Sequence, residues 1–476
     1  MPPPAHNLTE GSISKRLLLF TLPILIGNIL QSLNATVNSF WIGHYLGEAA
    51  LTASSNAGNV LFLVLGAMFG ASMAATILIG QYLGGRRLHD AKRVVGTSTT
   101  FALALSVCMA VIGWVICEPL LRAMQTPPEA LPLAIAYMRV IFLALPFMVL
   151  YIFATSALRG AGDAKTPLYF LLLSVGLDIG LNPVFIFGVG PIPHLGIAGS
   201  AVATLVAQAI SLGVLLSYLY AKKHPLCLHG DEIQLLRIDW SIVGTLIGKG
   251  VPMALQMMVL SFSMLLMITL VNRFGIHTAA AYGAALQLWN YIQMPSYAIG
   301  MAVSSMAAQN IGAQKWDRIS SITRMGMLYQ LILTGTMVLI VDVFCRSALG
   351  LWLTPGSLAM EIGVRMNYII TWSFVFFGIS MVLFGVVRAN GAVVAPLIVL
   401  AISLLGIRIP LAWGLALFDG AQPNAIWWSF PVSSFVAILM AMGYYKWGKW
   451  RTYRMISPQT TAAQAAAAAA ASAEVG

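Results

Sequence analysis

Apolar residues in this chain do not alternate with polar ones, as in a half-buried strand. Nor do they recur every third or fourth position, as on a soluble amphipathic helix; they run on for about twenty residues at a time. Twelve such runs, at 17–40, 55–80, 94–117, 133–157, 167–188, 196–220, 243–270, 279–308, 325–345, 366–387, 396–418 and 425–446, are separated by short segments rich in Gly, Pro and bases. A helix of ~20 apolar residues crosses the hydrocarbon core of a bilayer. Lipid offers the backbone no hydrogen bonds, so open-chain runs of this length satisfy their own N–H and C=O groups as helices. The pattern predicts an all-α integral membrane protein of twelve transmembrane helices. Residues 15–220 form an N-lobe and 243–454 a C-lobe of six helices each, joined by a cytoplasmic linker at 221–242. A polar tail, 1–14, precedes them, and an Ala-rich tail expected to be disordered, 455–476, follows.

Composition removes the soluble alternatives. Hydrophobic residues make up 59% of the 476 and charged ones 9%, against roughly 25% charged in soluble domains. The net charge of +11 would point to nucleic acid in a soluble protein. Here the bases lie between apolar runs, where they set topology, and no nucleic-acid partner is expected. Twenty of the 26 Lys and Arg fall at the two termini or in connections after even-numbered runs. By the positive-inside rule both termini are cytoplasmic. Cys108, Cys117, Cys227 and Cys345 have no metal-type spacing and read as small hydrophobes. No P-loop, Ser/His/Asp set or zinc spacing is present, so no enzyme is expected and no cofactor.

The two halves repeat. A shift of 228 matches Gln81 with Gln309, Gly84 with Gly312, Cys117 with Cys345 and Pro127 with Pro355. A shift of 229 matches Pro23 with Pro252, Arg159 with Arg388, Gly162 with Gly391 and Pro167 with Pro396. Six helices per half is an even number, so the repeats are parallel, an architecture that implies a central cavity and rocking alternating access. Gly84 and Gly312 stand where a left-handed residue would end a long helix.

These residues also resemble a known family. Gly80-Gln81-Tyr82-Leu83-Gly84-Gly85 with Arg86 and Arg87, Ala308-Gln309-Asn310-Ile311-Gly312-Ala313, Leu158-Arg159-Gly160-Ala161-Gly162-Asp163, Leu181-Asn182-Pro183 and Arg408-Ile409-Pro410-Leu411 are similar to segments of multidrug and toxic compound extrusion (MATE) transporters. The likeness covers about residues 12–450. It implies a secondary active antiporter in a bacterial inner membrane. Drug-like compounds or toxic metabolites, often organic cations, would leave in exchange for H⁺ or Na⁺. A monomer in the lipid bilayer is expected.

One acidic residue stands apart. Asp178 lies mid-run, where an ionised carboxylate costs ~2.5–3.5 kcal/mol on insertion scales and must face protein or water. Asn182 follows one turn later, and Asn34 and Asn38 share a face of the first helix with Gln31. Together Asp178, Asn182, Asn38 and Asn34 form the candidate ion-coupling site. Amide and carboxylate oxygens suit sodium; a desolvated carboxylate of raised pKa suits a proton; the residue types leave both open. Many family members carry an acid where Asn38 stands and Asp-Pro where Asn182-Pro183 stands, so here Asp178 is the one mid-membrane carboxylate. In the second half, Gln256 and Met257 on helix seven and Gln287, Asn290 and Tyr291 on helix eight are the candidate substrate-cavity residues. Met253, Met257 and Met264 form an adaptable stripe, with Trp289 and Tyr291 available for stacking. Glu118 and Asp342 are expected to pair with Arg122 and Arg346 one turn on. The competing reading is a lipid-linked glycan flippase of related two-lobe fold, which would use cavity arginines; Arg139, Arg388 and Arg408 are the ones near spans.

Overall fold

The computed structural model describes residues 8–188, 190, 193–418 and 424–455. The expectations for residues 1–7 and for the Ala-rich tail from 456 lie outside them. The described residues are helical, with twelve spans that we number in chain order. Helices α1 (13–46) and α2 (48–84) run into one another through Gly47, whose φ of 84° only glycine adopts without strain. Next come α3 (Leu88–Ala123), α4 (Leu131–Gly160), α5 (Lys165–Phe187), α6 (Ile197–Ala221), α7 (Trp240–Asn272), α8 (Ile276–Gly312) and α9 (Trp316–Val343). Span α10 is broken into Leu358–Ile370 and Ser373–Ala389, bent by 43°. Span α11 is Val394–Leu417 and α12 is Ala425–Trp447. Among the described residues nine helices are long and apolar enough to cross a membrane, ten with the bent pair counted as one span. The first of these is α1 and α2 merged, and the more polar α8 completes the twelve. Large apolar side chains such as Val115 (71% exposed) and Val343 (75% exposed) point outward, as lipid-facing surfaces require.

The chain divides into two compact units, Leu22–Gly250 and, together, Leu8–Thr21 and 251 onward. The division does not follow the two sequence halves. Residues 8–14 pack within the second unit: Leu8 N–H donates to Gln309 Oε1 (3.0 Å), Asn310 Nδ2 to Leu8 O (3.2 Å) and Arg318 Nη2 to Gly11 O (3.1 Å). The linker packs within the first unit. Thr100 Oγ1 donates to Leu236 O (2.7 Å), Lys92 Nζ to Glu232 (2.6 Å), and Arg93 bridges to Asp239 (2.8 Å). Gly96 permits this approach, because a Cβ there would collide with the Leu235 carbonyl.

The repeat is visible in backbone geometry. After α2, Arg86 is left-handed (φ 60°), and its N–H reaches Leu83 O (3.0 Å) while that of Arg87 reaches Tyr82 O (2.8 Å). After α8, Gln314 (φ 57°) and Lys315 make the same two bonds, to Ile311 and Asn310. This is a Schellman stop, whose outer residue often packs back on the helix; Arg87 does so over the Tyr82 ring at 5.0 Å. The left-handed residue is thus two positions after Gly84 and Gly312, which correct themselves to helical residues. At Gly162 (φ 87°) and Gly391 (φ 91°) a glycine does hold the turn in both halves.

Of the expected ion pairs, Arg122 meets Glu118 at 2.8 Å. Arg346 instead forks onto Glu361 (2.6 and 3.0 Å), and Asp342 accepts from Thr371 Oγ1 (2.9 Å). The helix breaks at Phe344 and restarts as Cys345–Leu349, so Asp342 and Arg346 no longer share one helical face.

Candidate functional site

Helix α5 carries Ser174, Asp178 and Asn182 at four-residue spacing, and all three are buried. Lipid cannot solvate such a stripe, so it turns onto neighbouring helices. Asp178 Oδ2 accepts from Asn34 Nδ2 (2.9 Å) and Asn38 Nδ2 (2.8 Å), both on α1. Oδ1 accepts from Thr204 Oγ1 of α6 (2.9 Å). Asn182 Nδ2 donates to Asn38 Oδ1 (2.9 Å) and back to the Asp178 carbonyl (2.8 Å). The four residues named from sequence therefore form one cluster, in the first unit. Gln31, on the same face one turn before Asn34, is exposed and stays outside it.

The cluster has a marked chemical bias. Asp178 is 3% exposed and Asn182 fully buried. The Asp178 carboxylate is met by neutral donors only, and among the described residues no base lies within ion-pair distance. Two acceptor oxygens, Asn34 Oδ1 and Asn182 Oδ1, are buried without a partner. A buried acceptor left unpaired costs ~1–3 kcal/mol. Three hard oxygen types around one negative charge, with two lone-pair oxygens spare, are the donor set of a small monovalent cation; a proton on the carboxylate would satisfy the same charge.

Sequence reasoning missed Thr204 and the layer next to it, where Gln208 Nε2 donates to Ser174 Oγ (3.2 Å). The signal was there: Ser200, Thr204, Gln208 and Ser211 form a stripe along α6. Nothing in one sequence says which stripe faces which.

The second-unit residues do not come together in the same way. Gln256 is 2% exposed and spanned by two local bonds, accepting from Arg388 Nη1 (3.3 Å) and donating to Val393 O (3.2 Å). That bracing, not an open face, is where the structure puts it. Gln287 and Asn290 are exposed, with Tyr291 and Met257 half-buried. The methionine stripe splits, with Met253 1% exposed and Met264 40%. Trp289 is sealed in the core against Tyr282, Phe374 and Phe430, its Nε1 donating to Asn367 Oδ1 at 2.7 Å; it packs and does not await a ligand.

The arginines are each held locally. Arg139 lies over the Trp114 ring at 5.5 Å, and Arg408 donates to Ser433 Oγ (2.9 Å) above the Phe430 ring at 4.4 Å.

Comparison with known proteins fits this geometry. The family model described as MatE matches the chain twice, at residues 23–184 and 252–413, and the two matches fall on the two sequence repeats. The chain is 35% identical to the Bacillus subtilis (strain 168) protein named Probable multidrug resistance protein YoeA, over 94% of this chain and 97% of that one. It is 25% identical to a protein of Shewanella oneidensis named FAD transporter, over 73% and 76% of the two chains. An outward-facing multidrug resistance MATE family transporter superposes with a TM-score of 0.85 at 20% identity, covering 94% of this chain and 97% of its own. With the duplicated helical halves and a family match on each, the chain belongs to the MatE family of multidrug and toxic compound extrusion proteins, and is a multi-pass membrane transporter and not an enzyme.

Proposed function

We propose that this transporter exports drug-like organic compounds in exchange for H⁺ or Na⁺, with Asp178 as the coupling residue. The observation that carries this reading is the buried carboxylate with neutral donors and two unpaired amide oxygens beside it. Such a site binds one small cation at a time. Binding neutralises the charge and favours one packing of α1, α5 and α6 over another. An ion drives a conformational change only through differential affinity for the two states, and the α1 contacts of Asn34 and Asn38 are the part of the site that a shift of α1 would dismantle. Alternating exposure of substrate to the two sides follows from that bias. The name of the relative YoeA supports efflux of drugs as the outcome. The relative named FAD transporter favours, as a second reading, a dinucleotide cargo. We further propose a bacterial inner membrane as the site, with both termini cytoplasmic, from the distribution of bases.

Purified protein in sealed vesicles separates these. Uptake of a fluorescent organic cation on imposing a proton or sodium gradient supports antiport. Uptake of FAD with no response to the cation favours the second reading. Uptake of neither under any gradient contradicts both.

A further inference from the structure

The internal repeat carries a reversal of charge. Around the start of the fifth helix of each half the register is 229, matching Pro167 with Pro396. Within α11 the stretch Ala401–Arg408 is a π-helix, and a π-turn accommodates one inserted residue. Within it the register becomes 230, matching Gly176 with Gly406, Ile179 with Ile409 and Leu181 with Leu411, which sets Arg408 at the place of Asp178. The contacts agree. Thr204 of α6 donates to Asp178 (2.9 Å). In the second unit Arg408 Nε donates to Ser433 Oγ (2.9 Å) and Nη2 reaches Ser434 Oγ (3.4 Å) on α12, and Ser433 and Ser434 are the residues 229 and 230 after Thr204. One half therefore holds a carboxylate at mid-membrane and the other a guanidinium.

We propose that Arg408 forms the head of an anion-recognition site in the second unit, selecting cargo that carries a carboxylate or phosphate group. This rests on the transport function proposed above and adds a substrate class to it. A mid-membrane arginine is expensive, and among the described residues no acid pairs with it. The hydroxyls of Ser433 and Ser434 meet its Nε and Nη2, and the Phe430 ring lies under the guanidinium plane. Trp427, fully buried, has an indole N–H with no partner and stacks on Tyr282 at 6.0 Å. Trp413 Nε1, on the same helix as Arg408, is also without one. A guanidinium takes planar oxyanions through paired N–H bonds. Arg408 itself is half-buried, so it is not sealed away as a purely structural ion would be.

The test uses two forms of one dye: a rhodamine methyl ester, a fixed cation, and the corresponding free acid, a zwitterion. Export of each is measured in vesicles for wild type, Arg408→Gln, Arg408→Lys and Trp427→Phe. The expected result is a loss of roughly tenfold or more in kcat/KM for the free acid in Arg408→Gln, with the ester within about twofold. Arg408→Lys should restore part of the loss, and Trp427→Phe, which keeps an aromatic but smaller ring and removes the N–H, should show a smaller loss for the acid only. Equal loss for both dyes with intact protein, or no loss for either, overturns the proposal and makes Arg408 a brace. If Arg408→Gln fails to fold, the Trp427→Phe contrast decides. Wild type that moves neither dye under any gradient fails the transport reading itself, a result distinct from these.

Discussion

Thr204 separates the two coupling ions. Its hydroxyl donates to the Asp178 oxygen that no amide reaches. In Thr204→Val that bond is gone. If sodium couples, a ligand oxygen is lost, and the sodium concentration for half-maximal transport should rise, by roughly tenfold for a charge-assisted contact of ~1.5 kcal/mol. If a proton couples, the loss falls on the hydrogen bonding of the carboxylate, and the pH dependence of transport changes while sodium has no effect. Thr204→Ser should behave as wild type in both cases. Unchanged ion dependence in Thr204→Val would remove Thr204 from the site. At this scale the sequence showed a good deal: Asp178, Asn182, Asn38 and Asn34 were all legible, because a polar residue in the middle of an apolar run has few places to go. Thr204 was not, since a lone threonine satisfies itself on its own helix, as this one also does through Ser200 O (3.3 Å). Gln256 misled for a related reason. Its polarity was bracing for Arg388, and a single chain does not reveal a partner 132 residues away.

Most element ends were legible to within four residues, because the length of an apolar run is fixed by bilayer thickness; the starts of α9 and α10 lie nine and eight residues before the apolar runs. What was not legible is how connections dock. The linker gave no period, yet it lies on α3 through Lys92–Glu232, Arg93–Asp239 and the gap at Gly96. Gly96→Val should therefore destabilise by about 1–3 kcal/mol through overpacking, read as a lower thermal midpoint in detergent; an unchanged midpoint would mean the linker yields freely. The same docking has a pH dependence. The Lys92 ammonium, with help from the His229 N–H, holds the Glu232 carboxyl below the usual range. A depressed carboxyl contributes stability that is complete above its unfolded pKa and fades as pH falls through the folded one. Protection factors in 230–241, which take out the intrinsic pH dependence of amide exchange, should thus hold from neutrality down to the ordinary glutamate range of about pH 4.3 and fall only below it. Protection already lost between about pH 7 and pH 5 would point to another group.

The whole molecule is two copies of one six-helix plan with different chemistry set into each. Turns at Arg86 and Gln314 repeat to within 3° in φ, while the mid-membrane charge on the fifth helix of each half changes sign, from Asp178 to Arg408. Parity of the spans places both turns on one face of the membrane. Single cysteines at the exposed positions 86 and 314 should be labelled by an impermeant maleimide only from the cytoplasmic side; labelling from opposite sides would break the parallel-repeat topology. The repeat was legible in sequence as residue matches 228 and 229 apart. Its charge reversal was hidden by the one-residue insertion of the π-turn, which puts Arg408 out of step with Asp178 until the backbone is seen. Coupling by the first half remains the central claim, and it rests on one carboxylate. Asp178→Asn keeps the size of the side chain and one acceptor oxygen, and removes its charge. In inverted vesicles the variant should bind and exchange a labelled organic cation across the membrane at rates near wild type, yet fail to accumulate it when a proton or sodium gradient is imposed. Gradient-driven accumulation at the wild-type rate in Asp178→Asn would contradict coupling through this site and leave the carboxylate as a strut between helices.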